Sequence, residues 1–281
     1  MKKIVILFST AGLIALLFSC NLEKEVDIAL PDYNSRYVVE CYLEPGKPIT
    51  LLLTRSAPYF EPFPELNQDF LSKLLVDSAE VSINYNGVDI SLENQLIINP
   101  LTSKVYNYYS SVIVPFDTIR PFELSITTQD GQTISATTNL LPIVPIDSVV
   151  VQFAEEDTLA RVLTYITDNP AQHNYYRRTL HESSLDSTAV QDFSVDDRFA
   201  EGVLVFGTGF NYAEGDTLIM TIFHIDKPYY DFLESLTGAV GANGNPFAQP
   251  SPILSNLEGT AGAIGIFTGL SYDRLMIVVR R

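Results

Sequence analysis

A chain of 281 residues with 34 acidic and 17 basic side chains carries a formal net charge of −17. That balance excludes nucleic acid as a partner and electrostatic attraction to anionic lipid head groups. Hydrophobic residues make up 46% of the chain, enough for a full core, and the length predicts one large or two ordinary domains.

Lys2 and Lys3 precede an apolar stretch, Ile4 to Phe18, that ends at Ser19 and Cys20. It is shorter than the roughly 20 apolar residues that span a bilayer, so residues 1–19 read as a cleaved secretory leader. Leu17-Phe18-Ser19-Cys20 resembles a lipobox, which makes Cys20 the expected lipidation site; the alternative is plain secretion with cleavage near Ser19. Each buried acyl CH₂ contributes about 0.8 kcal/mol, so two or three chains would hold the mature protein to a membrane without embedding it. Loss of the leader removes two lysines, leaving 34 acidic against 15 basic side chains and a net charge of −19. Residues 20–35 form a polar tether. Glu23, Glu25 and Asp27 resemble the acidic export tag that some Gram-negative groups place after the lipid-bearing Cys. The expected location is the outer membrane, and the choice between its outer face and a plain flexible tether stays open.

With Cys20 lipidated, Cys41 is the one remaining thiol, so no intramolecular disulfide is expected. It falls in the apolar run Tyr37 to Leu43 and is expected as a small buried side chain. Apolar and polar residues alternate through most of the chain, which predicts a mainly all-β fold of two β-sandwich-like domains. The first, residues 36–140, carries strands at Tyr37–Leu43, Ile49–Arg55, Ala79–Tyr85, Val88–Leu92, Tyr106–Val114, Phe122–Thr128 and Thr133–Thr138. Asn86-Gly87 predicts a type I′ hairpin, and Asp130-Gly131 another of the same kind. Seven short strands in about 110 residues fit an immunoglobulin-like or transthyretin-like sandwich. Pro58, Pro62 and Pro64, interleaved with Tyr59, Phe60 and Phe63, exclude a regular central strand and leave a loop packed on a sheet edge or protruding as a contact.

Two prolines in residues 141–145 make a semi-rigid linker to a β-rich second domain, residues 146–281. Its strands are expected at Ser148–Phe153, Arg161–Thr167, Tyr175–His181, Gly202–Gly207, Thr217–Ile225 and Leu275–Val279. One short helix is expected, capped by Asp226, with Pro228 in its first turn, Tyr229, Phe232, Leu233 and Leu236 on one face, and Gly238 as its stop. Gly241 to Gly269 shows no obvious regular structure, and so long a segment is usually functional or well packed.

His173, His181 and His224 lack zinc-ligand spacing, and Asp192, Asp196, Asp197 and Glu201 lack the spacing of a calcium loop. Gly259, Gly262 and Gly265 match no phosphate-binding pattern and read as positions of tight turning or close packing. No Gly-x-Ser-x-Gly elbow is present. The sequence therefore assigns no catalytic residue, no metal and no cofactor. A carboxylate pair for glycoside hydrolysis is a matter of geometry that the sequence leaves open.

Several stretches resemble a family of Gram-negative outer-membrane lipoproteins, domain-of-unknown-function family 4249 (DUF4249). They are Val38-Val39-Glu40-Cys41-Tyr42-Leu43 with Pro45-Gly46-Lys47-Pro48-Ile49, then Asn174-Tyr175-Tyr176-Arg177, and Asp196 to Gly202. The fourth runs from Asn245-Pro246-Phe247 through Pro252-Ile253-Leu254-Ser255-Asn256 to Gly265-Ile266-Phe267. The resemblance implies a companion of a TonB-dependent outer-membrane β-barrel, because such lipoproteins tend to be encoded beside those receptors. The expected function is thus a non-enzymatic outer-membrane lipoprotein that serves as accessory or substrate-capturing subunit of the transporter. Tyr59, Phe60, Phe63, Asn245, Pro246, Phe247 and Asn256 are the candidate contacts to barrel or cargo. An adhesion or envelope-structural module without a transporter is the alternative, and an anchored hydrolase using Asp196 or Asp197 a third.

Overall fold

The computed structural model describes residues 34–57, 74–99, 104–155, 158–198, 202–242 and 252–281. Among the described residues the fold is all-β apart from one helix. Alternation builds the first seven strands: β1 (Tyr37–Leu43), β2 (Pro48–Arg55), β3 (Glu80–Tyr85), β4 (Val88–Ile98), β5 (Val105–Ile113), β6 (Phe122–Thr127) and β7 (Thr133–Thr138). In β1, Tyr37, Val39, Cys41 and Leu43 are buried while the residues between them are half-buried, the period of two that lays one face on a core. Cys41 is fully buried, and burial pushes its thiol pKa up, in keeping with a packed rather than reactive side chain.

These strands and a late one, β14 (Ile264–Gly269), form a single sheet in the order β14-β1-β2-β5-β4-β3-β6-β7. β4 continues beyond its expected end at Leu92. It pairs with β3 as far as Leu92 and with β5 from Glu93 onward, with an irregularity between Asn94 and Ile97. The sheet folds over at this strand, and its two halves enclose one core that includes Leu43, Leu51, Tyr108, Phe122, Ile126 and Phe267. Asn86 and Gly87 take φ of 53° and 76°, the pair of positive angles that a type I′ turn needs. The Asp130-Gly131 connection departs from that expectation. Only Gly131 is positive (76°), and Thr128 N donates to Gln132 O, closing a wider loop. Asp130 instead accepts from the Thr128 and Tyr37 hydroxyls, and β6 and β7 still pair as a hairpin, Ile126 opposite Ile134.

The rest of the chain supplies β8 (Ile146–Phe153), β9 (Ala160–Thr167), β10 (Tyr175–Glu182), β11 (Gln191–Asp196), β12 (Val203–Gly207), β13 (Thr217–Ile225) and β15 (Ser271–Val278). They form a four-stranded sheet, β11-β10-β13-β15, and a three-stranded one, β12-β9-β8. Ala160 and Val162 of β9 pack on Leu180, Leu218 and Met220 of the larger sheet, and Ile166 packs on Tyr176, Phe206 and Ile222. Helix α1 (Lys227–Ala242) follows β13. Asp226 caps it, accepting from Tyr229 N at 3.0 Å, as the sequence predicts. The helix does not stop at Gly238 but runs to Ala242: Gly238 keeps out of the positive-φ region, and a mid-helix glycine costs only about 1 kcal/mol relative to alanine.

Two strands, β11 and β14, are additions to the sequence reading. β14 arises within the segment expected to be irregular, and it joins β1 in parallel, Val39 opposite Gly265 and Leu43 opposite Gly269. The approach is close enough to demand glycine. Gly265 has φ of 126°, and a Cβ on it would lie 1.9 Å from Val39 O. Leu270 then donates its N–H to Leu43 O at 2.8 Å, and the very next residue opens β15 in the other sheet.

Arg178 is fully buried on the inner face of β10, between Tyr176 and Leu180. Its guanidinium donates to Gln191 Oε1 and lies 5.9 Å from the Phe193 ring, while Nε and Nη2 meet no partner among the described residues. Burial pulls its pKa down to about 10, which leaves it charged at neutral pH.

Gly265→Ala should cost about 3 kcal/mol or more, whereas Gly87→Ala, also at positive φ but with open space around it, should cost about 1 kcal/mol. Denaturant unfolding compares the two directly, and equal losses would mean that β14 does not crowd β1. In the other core, Gln191→Ala should cost about 2 kcal/mol by stripping a buried charge of its bond, while Arg178→Met should be neutral or stabilising. A larger loss for Arg178→Met would contradict the reading of Arg178 as an under-satisfied charge.

Candidate functional site

Because the chain crosses from β14 to β15 within one residue, the outer face of the four-stranded sheet meets the β1–β2 turn of the first sheet. A cleft of about 720 Å³ opens along that seam. Its floor consists of residues that neighbour one another across four strands. Asp192, Thr179 and Arg274 come from one row over β11, β10 and β15, in which Thr221 of β13 stands between Thr179 and Arg274, and Arg177, Phe223 and Tyr272 come from the next. His181 continues the floor along β10. Glu44 and Lys47 from the β1–β2 turn, Lys104 at the start of β5, Leu270 and residues 185–189 line the rest. A smaller adjoining recess of about 260 Å³ shares Glu44, Lys47, Lys104, Arg177 and Leu270 and adds Glu40, Tyr42, Tyr106 and Tyr229.

Aromatic packing holds the seam together. Tyr42 of β1 meets Tyr229 of α1 edge-on at 5.9 Å, and Phe223, Ile225, Phe232 and Ile266 bury around them. Polar bonds cross the seam as well. Arg177 donates through Nη1 to Tyr229 Oη at 2.6 Å and spends Nε and Nη2 on the two Asp192 oxygens at 2.7 and 2.6 Å. Tyr272 donates its hydroxyl to Glu44 Oε1 at 2.6 Å. Burial pushes the Tyr42 and Tyr229 phenols up, so both remain neutral.

Four basic side chains line the main cleft (Lys47, Lys104, Arg177 and Arg274) against three carboxylates (Glu44, Asp186 and Asp192), on a chain whose net charge is −17. The Arg274 guanidinium is oriented by a 4.6 Å stack on Tyr272 and a 2.9 Å bond from Nε to Thr221 Oγ1. Thr179 Oγ1 and His181 Nδ1 are buried beneath the cleft without a hydrogen-bond partner among the described residues. Burial lowers the His181 pKa, with the nearby Arg274 charge adding to it, so the imidazole is neutral at pH 7. In the adjoining recess, burial raises the Glu40 pKa against the opposing pull of Lys104.

The expected lipidation site Cys20 and, among the expected contact residues, Tyr59, Phe60, Phe63, Asn245, Pro246 and Phe247 lie outside the described residues. Asn256 is described, and both ends of its amide serve β14: Nδ2 donates to Phe267 O at 2.7 Å and Oδ1 accepts from Phe267 N at 3.1 Å. It also lines a separate groove of about 540 Å³ beside β7. The acidic group is dispersed: Asp192 pairs with Arg177, Asp196 with Arg198, and Asp197 accepts from Asn174 N at 2.7 Å; Glu201 lies outside the described residues. Among the described residues, no three His, Cys, Asp or Glu side chains converge to hold a metal ion, and no helix is long and apolar enough to cross a membrane.

Residues that sequence reading did not single out as a site, Thr179, His181 and Arg274, complete the cleft. One signal for its location was present: Glu40, Tyr42, Lys47, Pro48 and Arg177 all fall in stretches that carry the family resemblance. The family model described as "Domain of unknown function (DUF4249)" matches residues 23–275. The chain belongs to the DUF4249 family. No curated protein matches it. Two solved structures of a cytokine receptor complex are similar at 11% and 12% identity, covering 68% and 66% of this chain and 86% and 89% of theirs, with TM-scores of 0.25 and 0.26. Likeness at that level carries no argument about this DUF4249 protein.

Titration of the three histidines by NMR tests the electrostatics of the floor. His181 should titrate below the ordinary imidazole value of about 6.5, and Arg274→Gln should move its midpoint upward by removing a like charge. An unmoved midpoint would show that Arg274 does not act on the ring.

Proposed function

We propose that this DUF4249 protein is a non-enzymatic outer-membrane lipoprotein, anchored through Cys20, that captures cargo as the accessory subunit of a TonB-dependent transporter. The observation that carries the capturing role is the seam cleft. Its volume falls within the range of roughly 300–1,000 Å³ typical of small-molecule sites, and its mostly polar lining includes two aromatic rings, Phe223 and Tyr272. A leader that ends at Ser19-Cys20 supports the anchor, and a polar tether to residue 35 would let the folded unit, Ser35–Arg281, reach a neighbouring barrel. The transporter itself is supported by the family resemblance, which links such lipoproteins with TonB-dependent receptors.

The test is affinity purification of the tagged protein from mildly solubilised outer membranes, with stoichiometry by mass spectrometry. A large β-barrel receptor should be recovered at near-equal amounts. Recovery of the protein alone from the same membranes would contradict the transporter role and favour a free-standing adhesion module.

A further inference from the structure

We propose that the seam cleft is an oxyanion site: it takes a small ligand bearing a carboxylate or phosphate group, received by the Arg274 guanidinium and the floor groups Thr179 and His181, with Lys47 and Lys104 at the rim. This deepens the cargo-capturing reading and does not depend on which barrel the protein serves.

The carboxylates are largely committed. Both Asp192 oxygens take Arg177, Glu44 Oε1 takes the Tyr272 hydroxyl, and Asp186 takes the Ser184 hydroxyl on an exposed loop. The cations are not. Among the described residues, no carboxylate pairs with Arg274, Lys47 or Lys104 within ion-pair distance. Arg274 is fixed in orientation by the Tyr272 stack and the Thr221 bond, the preorganisation that suits a guanidinium for bidentate capture of a carboxylate or phosphate.

The floor independently points to a polar ligand. Thr179 is only 5% exposed and lines the cleft, and among the described residues neither its hydroxyl nor the buried His181 Nδ1 has a hydrogen-bond partner. Burying such groups without a bond is unfavourable, and an oxygen-rich ligand on the floor would relieve both. Arg274, two strands away from Thr179 in the same row, would bring the positive charge. The acidic exterior sets an upper bound on the ligand. At physiological salt charges are screened beyond about 8 Å, so a small anion in the cleft feels the cations around it, while an extended polyanion would lie across the surrounding acids.

Calorimetric titration of the purified full chain with succinate and, separately, with inorganic phosphate distinguishes the two oxyanion chemistries, with 1,4-diaminobutane as a cation of comparable length. Saturable binding of succinate or phosphate and none of the diamine is expected. Arg274→Gln should weaken it about tenfold or more, as loss of a charge-assisted pair does. Thr179→Val, which keeps the side-chain volume and removes the unpartnered hydroxyl, should weaken binding without lowering the melting temperature, and so serves if Arg274→Gln does not fold. Absence of saturable binding of both anions, or binding unchanged in Arg274→Gln and Thr179→Val, would overturn the proposal. Neither result bears on recovery of a barrel from membranes, so failure here and failure of the transporter reading are separable.

Discussion

The pairing of β14 with β1 is the constraint on which the other features depend. A strand near the end of the chain, Ile264–Gly269 of 281 residues, closes the edge of the first sheet, and that contact exists because residue 265 has no side chain: Val39 O occupies the place where a Cβ would stand. Phe267, two positions before the end of the strand, is fully buried in the first core, and its burial contributes about 2–3 kcal/mol toward holding β14 in register. Asn256 adds a side-chain clamp on the Phe267 backbone. With β14 fixed, Leu270 gives the chain no slack before β15, so the four-stranded sheet is docked against the β1–β2 turn by covalent geometry as well as by packing.

That docking explains the chemistry of the seam. β13 is buried along almost its whole length because one of its faces covers the second core and the other supports Tyr229, Phe232 and Ile266. The outer rows of the same sheet carry Arg177, Thr179, Arg274 and Asp192, and they face Lys47 and Glu44 only because β14 has brought the two sheets together. Arg177 and Asp192 neutralise each other, and such a half-exposed pair contributes about 0–1 kcal/mol, so its effect is to fix side chains more than to stabilise the fold. Among the described residues, what remains is an arginine and two lysines without a paired carboxylate and two buried polar atoms, Thr179 Oγ1 and His181 Nδ1, without a hydrogen-bond partner.

Most strands were legible from the sequence because alternation is a local property. Tyr37–Leu43, Thr133–Thr138 and Thr217–Ile225 fall where the pattern places them, and Asn86-Gly87 turns as its composition requires. β11 was illegible because Gln191–Asp196 is a polar edge strand, and β14 because Ile-Gly-Ile-Phe-Thr-Gly reads as a glycine-rich loop. The glycines that obscured β14 are what allow it to exist. The cleft was illegible for a related reason: Lys47, Lys104, Arg177 and Arg274 are separated by scores of residues and meet only through sheet register, which no local pattern encodes. Arg178 is the reverse case, an arginine in a strand whose alternation places it inward, against every expectation for its residue type.

Native-state amide hydrogen exchange is the most direct test of β14 as the tie between the two sheets. If the account is right, the hydrogen-bonded amides of β14 share the protection of β1 and β2 and open with them as one cooperative unit. Exchange of the β14 amides at a far lower opening free energy than those of β1 would contradict it, leaving β14 as a loosely added edge and the cleft without its supporting frame.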